Sequence, residues 1–395
     1  ADYQIISLPF KDLAVDSVLK NLGEQSIKTW RLFTYEEGAF REYPAFSNFE
    51  TGQGYMLIHN VKDAAIHYSG QLLEEQEITL YPGMNLVGNP YNLNLSWEAI
   101  IDYNSEKLDE ESLSKFIRLW NGTYEAGENQ LYPLEGGFIE WKHDEPVTIR
   151  LPFKMPQQSS QQRERKQPLK GWTLPIALKS KSMGNATGGI GMTENAQEGR
   201  DRFDLGTLPR FMNYLELTSS DHLSRSIVPF RDEYTWLFEL NSNKQEPVNL
   251  SWDQEITASL PGNLYLWNET RQEIINMLQQ NEYITRPGAR IKIMYSSGDT
   301  QVLDRKIAVN RVFRVYPNPV QTRLTTRVST SGAGKPVTLS IFNQQGQRVQ
   351  HQQKIAPDKG LQKLEWKTSG LQTGLYYYQV TVGKTYSKQG KLVVK

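Results

Sequence analysis

The chain has no cysteine, which removes disulfides, thiolate metal sites and cysteine nucleophiles from consideration. Its 5 histidines, His59, His67, His143, His222 and His351, are too scattered for an HExxH or paired-ligand motif, and each reads as a surface or strand histidine. No apolar run is long enough to span a bilayer, and the opening ADYQIISLPF lacks the basic region, apolar core and small-residue cleavage site of a signal peptide. The expectation is a soluble, mature or truncated product. A charge surplus is missing too: Lys+Arg 44 balances Asp+Glu 44, which supports neither a nucleic-acid footprint nor an acidic solvating tail. GGIGM at 188–192 lacks the Lys-Ser/Thr of a phosphate loop, and no G-x-S-x-G elbow marks a serine hydrolase. Acidic residues are absent from one long stretch, GLQTGLYYYQVTVGKTYSKQGKLVVK at 370–395.

At 395 residues, with 38% hydrophobic and 11% aromatic content, the chain can bury ample core and is too long for one ordinary domain. Its 20 Tyr, 9 Trp, 29 Gly and 19 Pro fall in short alternating segments, the pattern of β-rich structure with many turns. The expected fold is mainly β: tandem small β-rich (α+β) repeats, a β-sandwich in the middle and a C-terminal immunoglobulin-like β-sandwich.

The first third reads as one unit written twice, over 1–82 and 83–153. IISLPF at 5–10 resembles NLVGNPY at 85–91. After each comes an amphipathic piece, with Val15, Val18, Leu19 and Leu22 in one and Trp97, Ile100 and Ile101 in the other, at the spacing of a short helix. Ser96 fits an N-cap. WRLFTY at 30–35 then resembles IRLWNGTY at 117–124, and a Tyr-Pro pair leads each copy to a glycine-aromatic strand, GQGYMLI at 52–58 and GGFIEW at 136–141. Such order over several blocks signals a repeat.

Residues 154–170 are nearly free of apolar side chains and read as a linker or exposed loop. From 171 to 297, runs such as WTLPIAL, YTWLFELNS and ARIKIMYSS alternate with period two, as in an antiparallel sandwich. The glycine-rich stretch 183–204 reads as a long surface loop interrupting it, and 298–310 as a polar linker. KHDEP at 142–146 reads as a turn, because adjacent strand residues point to opposite faces and would not converge on a cation. Trp30 and Trp120, read as matched positions, are expected in the core. Tyr124 and Trp141 remain candidates for contact with a glycan or a partner, since such rings stack on sugars and anchor interfaces.

From 311 the chain reads RVYPNPV (314–320), PVTLSIFNQQGQRV (336–349), and LQKLEWKTSGLQTGLYYYQVTVGKTYSKQGKLVVK to the end. Val337, Leu339 and Ile341 alternate with Thr338, Ser340 and Phe342, so this strand is expected to be covered on both faces. Asn343 to Gly346 is a hairpin turn, Gly370 and Gly374 bracket a second connection, and Tyr376 and Tyr378 share one face with Tyr377 and Gln379 on the other. These blocks, in this order, closely resemble the type A C-terminal sorting domain of the type IX secretion system of Bacteroidota-type bacteria. The matching positions are Tyr316, Pro317, Asn318, Pro319, Gly346, Gly370, Gly374, Tyr376 and the final Lys391, Leu392, Val393, Val394 and Lys395.

That resemblance implies export through the periplasm and across the outer membrane by a translocon, with a shuttle β-barrel protein collecting the cargo. It implies a sortase-like cysteine peptidase that removes the tag, with cleavage upstream of 311, and couples the cargo to surface lipopolysaccharide. The upstream hairpins, the GNPY strand and IGMTENAQEGRDRFD also look like regions found ahead of this tag in secreted proteases and adhesins. The expectation is therefore the C-terminal region of a secreted or cell-surface protein, with no catalytic residue, metal or cofactor, and with upstream modules that are structural or adhesive. A carbohydrate-binding accessory role is the alternative. The terminal KLVVK reads as an edge strand presented to a receptor; the alternative is a capped last strand with solubilising lysines, whose removal would lower stability and leave export intact.

Overall fold

The computed structural model describes residues 3–10, 13–62, 66, 68–69, 75–153, 170–271, 273–298, 311–358, 360–383 and 386–395. Strand accounts for 53% and helix for 6%, so the chain is mainly β, as its alternating sequence implies. Two compact units are formed: 1–230 with 236–256 and 281–290, and 231–235 with 257–280 and 291–395. The expected linkers lie almost wholly outside the described residues, as does His67.

In the first unit Gln4–Ile6 pairs with Tyr55–His59, which pairs with Trp30–Glu36, which pairs with Ala39–Glu42. Gly83–Gly88 likewise pairs with Gly136–Trp141, then Phe116–Trp120, then Thr123–Glu128. Both sets run first, fourth, second, third in chain order. After the first strand of each set comes a two-residue bridge, Leu13–Ala14 with Asn48–Phe49 and Leu95–Ser96 with Gln130–Leu131. Each bridge leads into a short helix, Val15–Leu19 or Trp97–Tyr103. The Ser96 hydroxyl caps the second by accepting from the Ala99 N–H at 3.3 Å, satisfying one otherwise orphan donor.

Apolar spacing on each helix directs it onto its own sheet. Val15, Val18 and Leu19 pack with Trp30, Leu32 and Tyr55, and Trp97, Ile100 and Ile101 with Phe116, Leu131 and Trp141. A third cluster joins Ile5, Phe33 and Met56 to Leu86, Ile117 and Phe138. Residues on alternating strand faces thus supply both clusters. Trp30 is buried and its indole N–H donates to the Gly23 carbonyl at 2.8 Å. Trp120 departs from the core expectation, with 58% of its surface exposed. In the matched blocks Trp30 stands opposite Ile117, which is buried, while Trp120 ends its strand at a turn whose Asn121 and Gly122 have φ of 46° and 69°.

The boundary drawn from sequence between 153 and 171 does not separate sheets. Thr123–Glu128 pairs in parallel with Gly184–Thr193, and the sheet continues through Gly171–Lys179, Val248–Trp252 and Glu282–Thr285. Gly184–Thr193 is correspondingly a buried inner strand and not part of a surface loop. Its glycines are a packing requirement: a Cβ on Gly191 would lie 2.3 Å from the Trp172 carbonyl oxygen and 2.8 Å from Ile227 Cδ1. Glycine there permits close backbone approach on both flanks.

In the second unit Asn263–Asn268 pairs with Glu273–Asn276 on one edge and with residues 291–296 on the other. Residues 311–395 of that unit form a sandwich of two sheets. One orders Arg311–Tyr316, Arg323–Thr330, Gly360–Lys367; the other orders Arg348–Ile355, Pro336–Phe342, Gly374–Val382, Tyr386–Val394.

Candidate functional site

The site is built on the last strand, Tyr386–Val394, which lies at the edge of its sheet and pairs only with Gly374–Val382 along its length. Alternation buries Leu392 and Val394 in the sandwich core and turns Lys391, Val393 and Lys395 outward. Gly374 stands opposite Val394 and Tyr376 opposite Leu392. An edge strand normally leaves a row of main-chain groups open for pairing. Here that row is closed at its C-terminal end. The Asn318 side-chain amide donates to the Lys391 carbonyl and accepts from the Val393 N–H, both at 2.9 Å. The Val320 N–H donates to the Val393 carbonyl at 2.7 Å, and the Val320 carbonyl accepts from Lys395 at 2.9 Å.

The local sequence explains this arrangement. Pro317 and Pro319 have no N–H and cannot extend a ladder, so between them the Asn318 side chain supplies the donor and acceptor that a peptide unit would. Val320, wholly buried, then completes a parallel bridge to Val394. Of the two readings of KLVVK, the capped strand is the one found: it is an edge strand whose Lys391 carbonyl, Val393 N–H and carbonyl and Lys395 N–H are occupied, and what it displays is chiefly side chains. Asn318→Ala is expected to cost about 1–2 kcal/mol and to speed exchange of the Val393 amide. Unchanged protection of that amide in the variant would remove the amide cap as its cause.

The sandwich behind this edge follows the sequence closely. Val337, Leu339 and Ile341 face the core; Ser340 on the other face is covered, but Thr338 and Phe342 are only half-buried, so that face is not fully closed. Tyr376 and Tyr378 pack on the core while Tyr377 is exposed. The Tyr376 hydroxyl donates to the Gln372 carbonyl at 3.0 Å. Gly346 has φ of 78° in the turn closed by its N–H on the Asn343 carbonyl at 3.0 Å, and Gly370 has φ of 104°. Both serve turns. Pro317, Asn318 and Pro319, by contrast, are gathered with Gly374, Tyr376 and Lys391 to Lys395 about the last strand. Val320 is a site residue that sequence reasoning missed; its apolar side chain after two prolines was the available signal.

In the first unit, Tyr124 and Trp141 do not form an open aromatic platform. Tyr124 is half-buried against Phe138, with ring centroids 6.4 Å apart, and burial pushes its hydroxyl pKa well up. Trp141 is buried, donates its indole N–H to the Glu145 carbonyl at 2.7 Å and carries His143 against its ring at 4.6 Å. It borders a cavity of about 550 Å³ that also involves Asp109, Lys142, Arg200, Asp201 and Arg202.

Beside that cavity sits a buried charge cluster. Glu140 accepts from the Gly206 N–H at 3.1 Å and pairs with Arg200. Lys142 donates to the carbonyls of Arg202 and Asp204, and its pKa is pulled down by desolvation. Asp204 accepts from Ile227 N–H at 2.8 Å and Asp201 N–H at 2.9 Å. The charges in this cluster hold one another and the backbone, and among the described residues no group of His, Cys, Asp and Glu is placed to hold a metal ion.

Burial raises the Asp204 carboxyl to about 6 from an ordinary 3.8. The folded state therefore binds this proton more tightly than the unfolded chain does. Its contribution makes stability rise as pH falls from about 7 toward about 4, by up to about 3 kcal/mol. Urea midpoints of the wild type and Asp204→Asn, compared across that range, are expected to converge at the acidic end and separate at neutral pH. A pH-independent difference would contradict this.

Residues 314–395 match the family described as a secretion system C-terminal sorting domain. No match was found among curated proteins. Among solved structures, dimeric latent PorU from Porphyromonas gingivalis is similar at 15% identity and TM-score 0.21, covering 46% of this chain and 20% of that one. A polysaccharide lyase is similar at 11% identity and TM-score 0.18, covering 57% and 40%. A multi-modular glycogen-degrading pneumococcal virulence factor, SpuA, is similar at 9% identity and TM-score 0.18, covering 98% and 37%. The chain spans well under half the length of each, and at these TM-scores the likenesses carry no argument. The family match does: residues 314–395 are a C-terminal sorting domain of the type IX secretion system, and the chain that bears them is exported to the cell surface or secreted.

Proposed function

We propose that this chain is the C-terminal region of a larger exported protein, in which the sorting domain is read by the type IX translocon and its shuttle β-barrel protein. The observation that carries this is the family match over 314–395, together with the closed edge around Asn318. Because the main-chain groups there are occupied, recognition falls to the outward Lys391, Val393 and Lys395 side chains and their surroundings. A sortase-like cysteine peptidase would then cut upstream of 311 and couple the cargo to surface lipopolysaccharide.

The upstream strands serve as a non-enzymatic structural or adhesive region. In this reading the first two blocks are an internal duplication, which the shared first, fourth, second, third strand order supports. A second reading, glycan binding, is favoured by the exposed Trp120, the most exposed aromatic side chain among the described residues; Tyr124 is half-buried and Trp141 buried. A glycan array comparing wild type with Trp120→Ala separates the two readings.

Deleting 311–395 in a type IX-competent host is expected to trap the cargo in the periplasm. Removing Lys391 to Lys395 is expected to abolish export as well. Surface delivery of the 311–395 deletion at the wild-type level would overturn the sorting role, and delivery of the shorter deletion at that level would overturn the place given to the last strand.

A further inference from the structure

Net neutrality of the chain conceals a division. Residues 311–395 contain 14 Lys+Arg and 2 Asp+Glu, so the segment carries a formal +12 and the remainder of the chain an equal negative charge. The register concentrates part of this on one sheet face. Arg314 lies directly opposite Arg327, which lies opposite Lys363; Arg323 lies opposite Lys367. Like charges placed directly across strands destabilise a sheet. Four of these five side chains are exposed, with Arg323 at 73% and Lys363 at 57%, and Arg327 is half-buried.

Compensation on the face is thin. Glu365 is shared between Arg323 at 3.8 Å and Lys363 at 3.3 Å, Arg314 pairs with Glu273 at 2.8 Å, and Arg327 donates to the Ile274 carbonyl at 3.3 Å, which leaves Lys367 and much of Arg323 and Lys363 to solvent. Tyr316, in the row between, is half-buried with the Arg314 guanidinium 5.2 Å from its ring centroid. The outward positions of the other sheet are mostly uncharged, Thr338, Ser340, Gln379 and Gln389 among them.

We propose that the outer face of the Arg311–Tyr316, Arg323–Thr330, Gly360–Lys367 sheet docks on a membrane surface of anionic, phosphate-bearing lipid headgroups. The two cationic rows are separated by four residues along a strand, about 13 Å; Arg314, Arg323, Lys363 and Lys367 are long-stemmed and exposed, while Arg327 is held against the Ile274 carbonyl. An interface with a protein gains most from desolvated aromatic or arginine anchors, and exposed one-to-one ion pairs contribute little. A continuous anionic surface instead meets the exposed cations at once, each adding severalfold to affinity. The exported chain meets such surfaces in the bacterial envelope.

The test is co-sedimentation of the full chain with phosphatidylcholine vesicles containing about 30 mol% phosphatidylglycerol, against vesicles of phosphatidylcholine alone. Binding is expected to the first only, and to be lost as salt rises from about 0.1 M to about 1 M, where screening shortens from about 10 Å to about 3 Å. The triple variant Arg323→Gln, Lys363→Gln, Lys367→Gln is expected to bind at least about tenfold more weakly. Its melting temperature is expected to equal or exceed the wild-type value, since cross-strand repulsion is relieved. Removing the same charge elsewhere, as Lys335→Gln, Arg348→Gln, Lys354→Gln, is expected to weaken binding much less. Equal binding to neutral vesicles, or equal loss in the two triple variants, would overturn the proposal. So would poly-L-glutamate binding as tightly as the anionic vesicles, which would assign the face to an acidic protein.

Discussion

A Trp366→Ala chain is expected to lose about 3–5 kcal/mol from the sorting domain, most of what a domain of this size holds in reserve. Trp366 is 1% exposed, stands opposite Leu324 on the central strand of its sheet and is among the largest fully buried side chains of the molecule. Its indole N–H donates to the Thr326 hydroxyl at 2.9 Å, and the Lys354 ammonium lies 5.7 Å from its ring. Alanine would leave both a cavity and a buried hydroxyl without its donor, and the two losses add. Trp366→Phe keeps most of the hydrocarbon and is expected to cost about half as much. Hydrogen exchange over 314–395 in the full chain measures both. Native protection in Trp366→Ala would show that the sandwich does not depend on this side chain, and export of the variant is expected to fail in step with protection.

Removing Glu140 should have an effect of similar size in the first unit, about 3 kcal/mol or more. Glu140 is almost completely buried, beside half-buried Lys142 and Arg225, and it accepts from Gly206 N–H while pairing with Arg200. Its carboxylate raises the pKa of both neighbouring cations against a larger lowering by desolvation. Glu140→Ala would leave those cations poorly compensated and the Gly206 amide unbonded. Arg200 can turn to water, being half-exposed, so the loss arises chiefly at Lys142, Arg225 and Gly206. Glu140→Gln retains an acceptor for Gly206 and is expected to recover part of the stability. Thermal melts of the three proteins at neutral pH test this; an alanine variant melting with the wild type would mean that solvent already reaches the cluster.

Much of the sorting domain was legible in the chain because its information is local. Period-two alternation at Val337, Leu339 and Ile341 places a strand face, Gly346 allows the positive φ of a turn, and Tyr376 and Tyr378 fall together for the same geometric reason. The helix after Ser96 was legible through its cap and its apolar spacing. Trp120 was misplaced because hairpin position, not residue type, decides whether a strand-end aromatic is covered. The 183–204 segment was misjudged because glycine reads locally as loop, while its absent Cβ matters only when the neighbouring strands are known.

Composition and local pattern therefore determined that this protein is mainly β, free of thiol chemistry and tagged at its C-terminus by a recognisable domain. Each of those depends on residue identity or on neighbours a few positions apart. Tertiary structure alone decided that Gly184–Thr193 is an inner strand, that Trp141 is buried, and that Asn318 closes the edge of a strand 73 residues further on. It also aligned Arg314, Arg327 and Lys363 across three strands. These are pairings of distant residues set by register, and no local spacing rule carries register between strands.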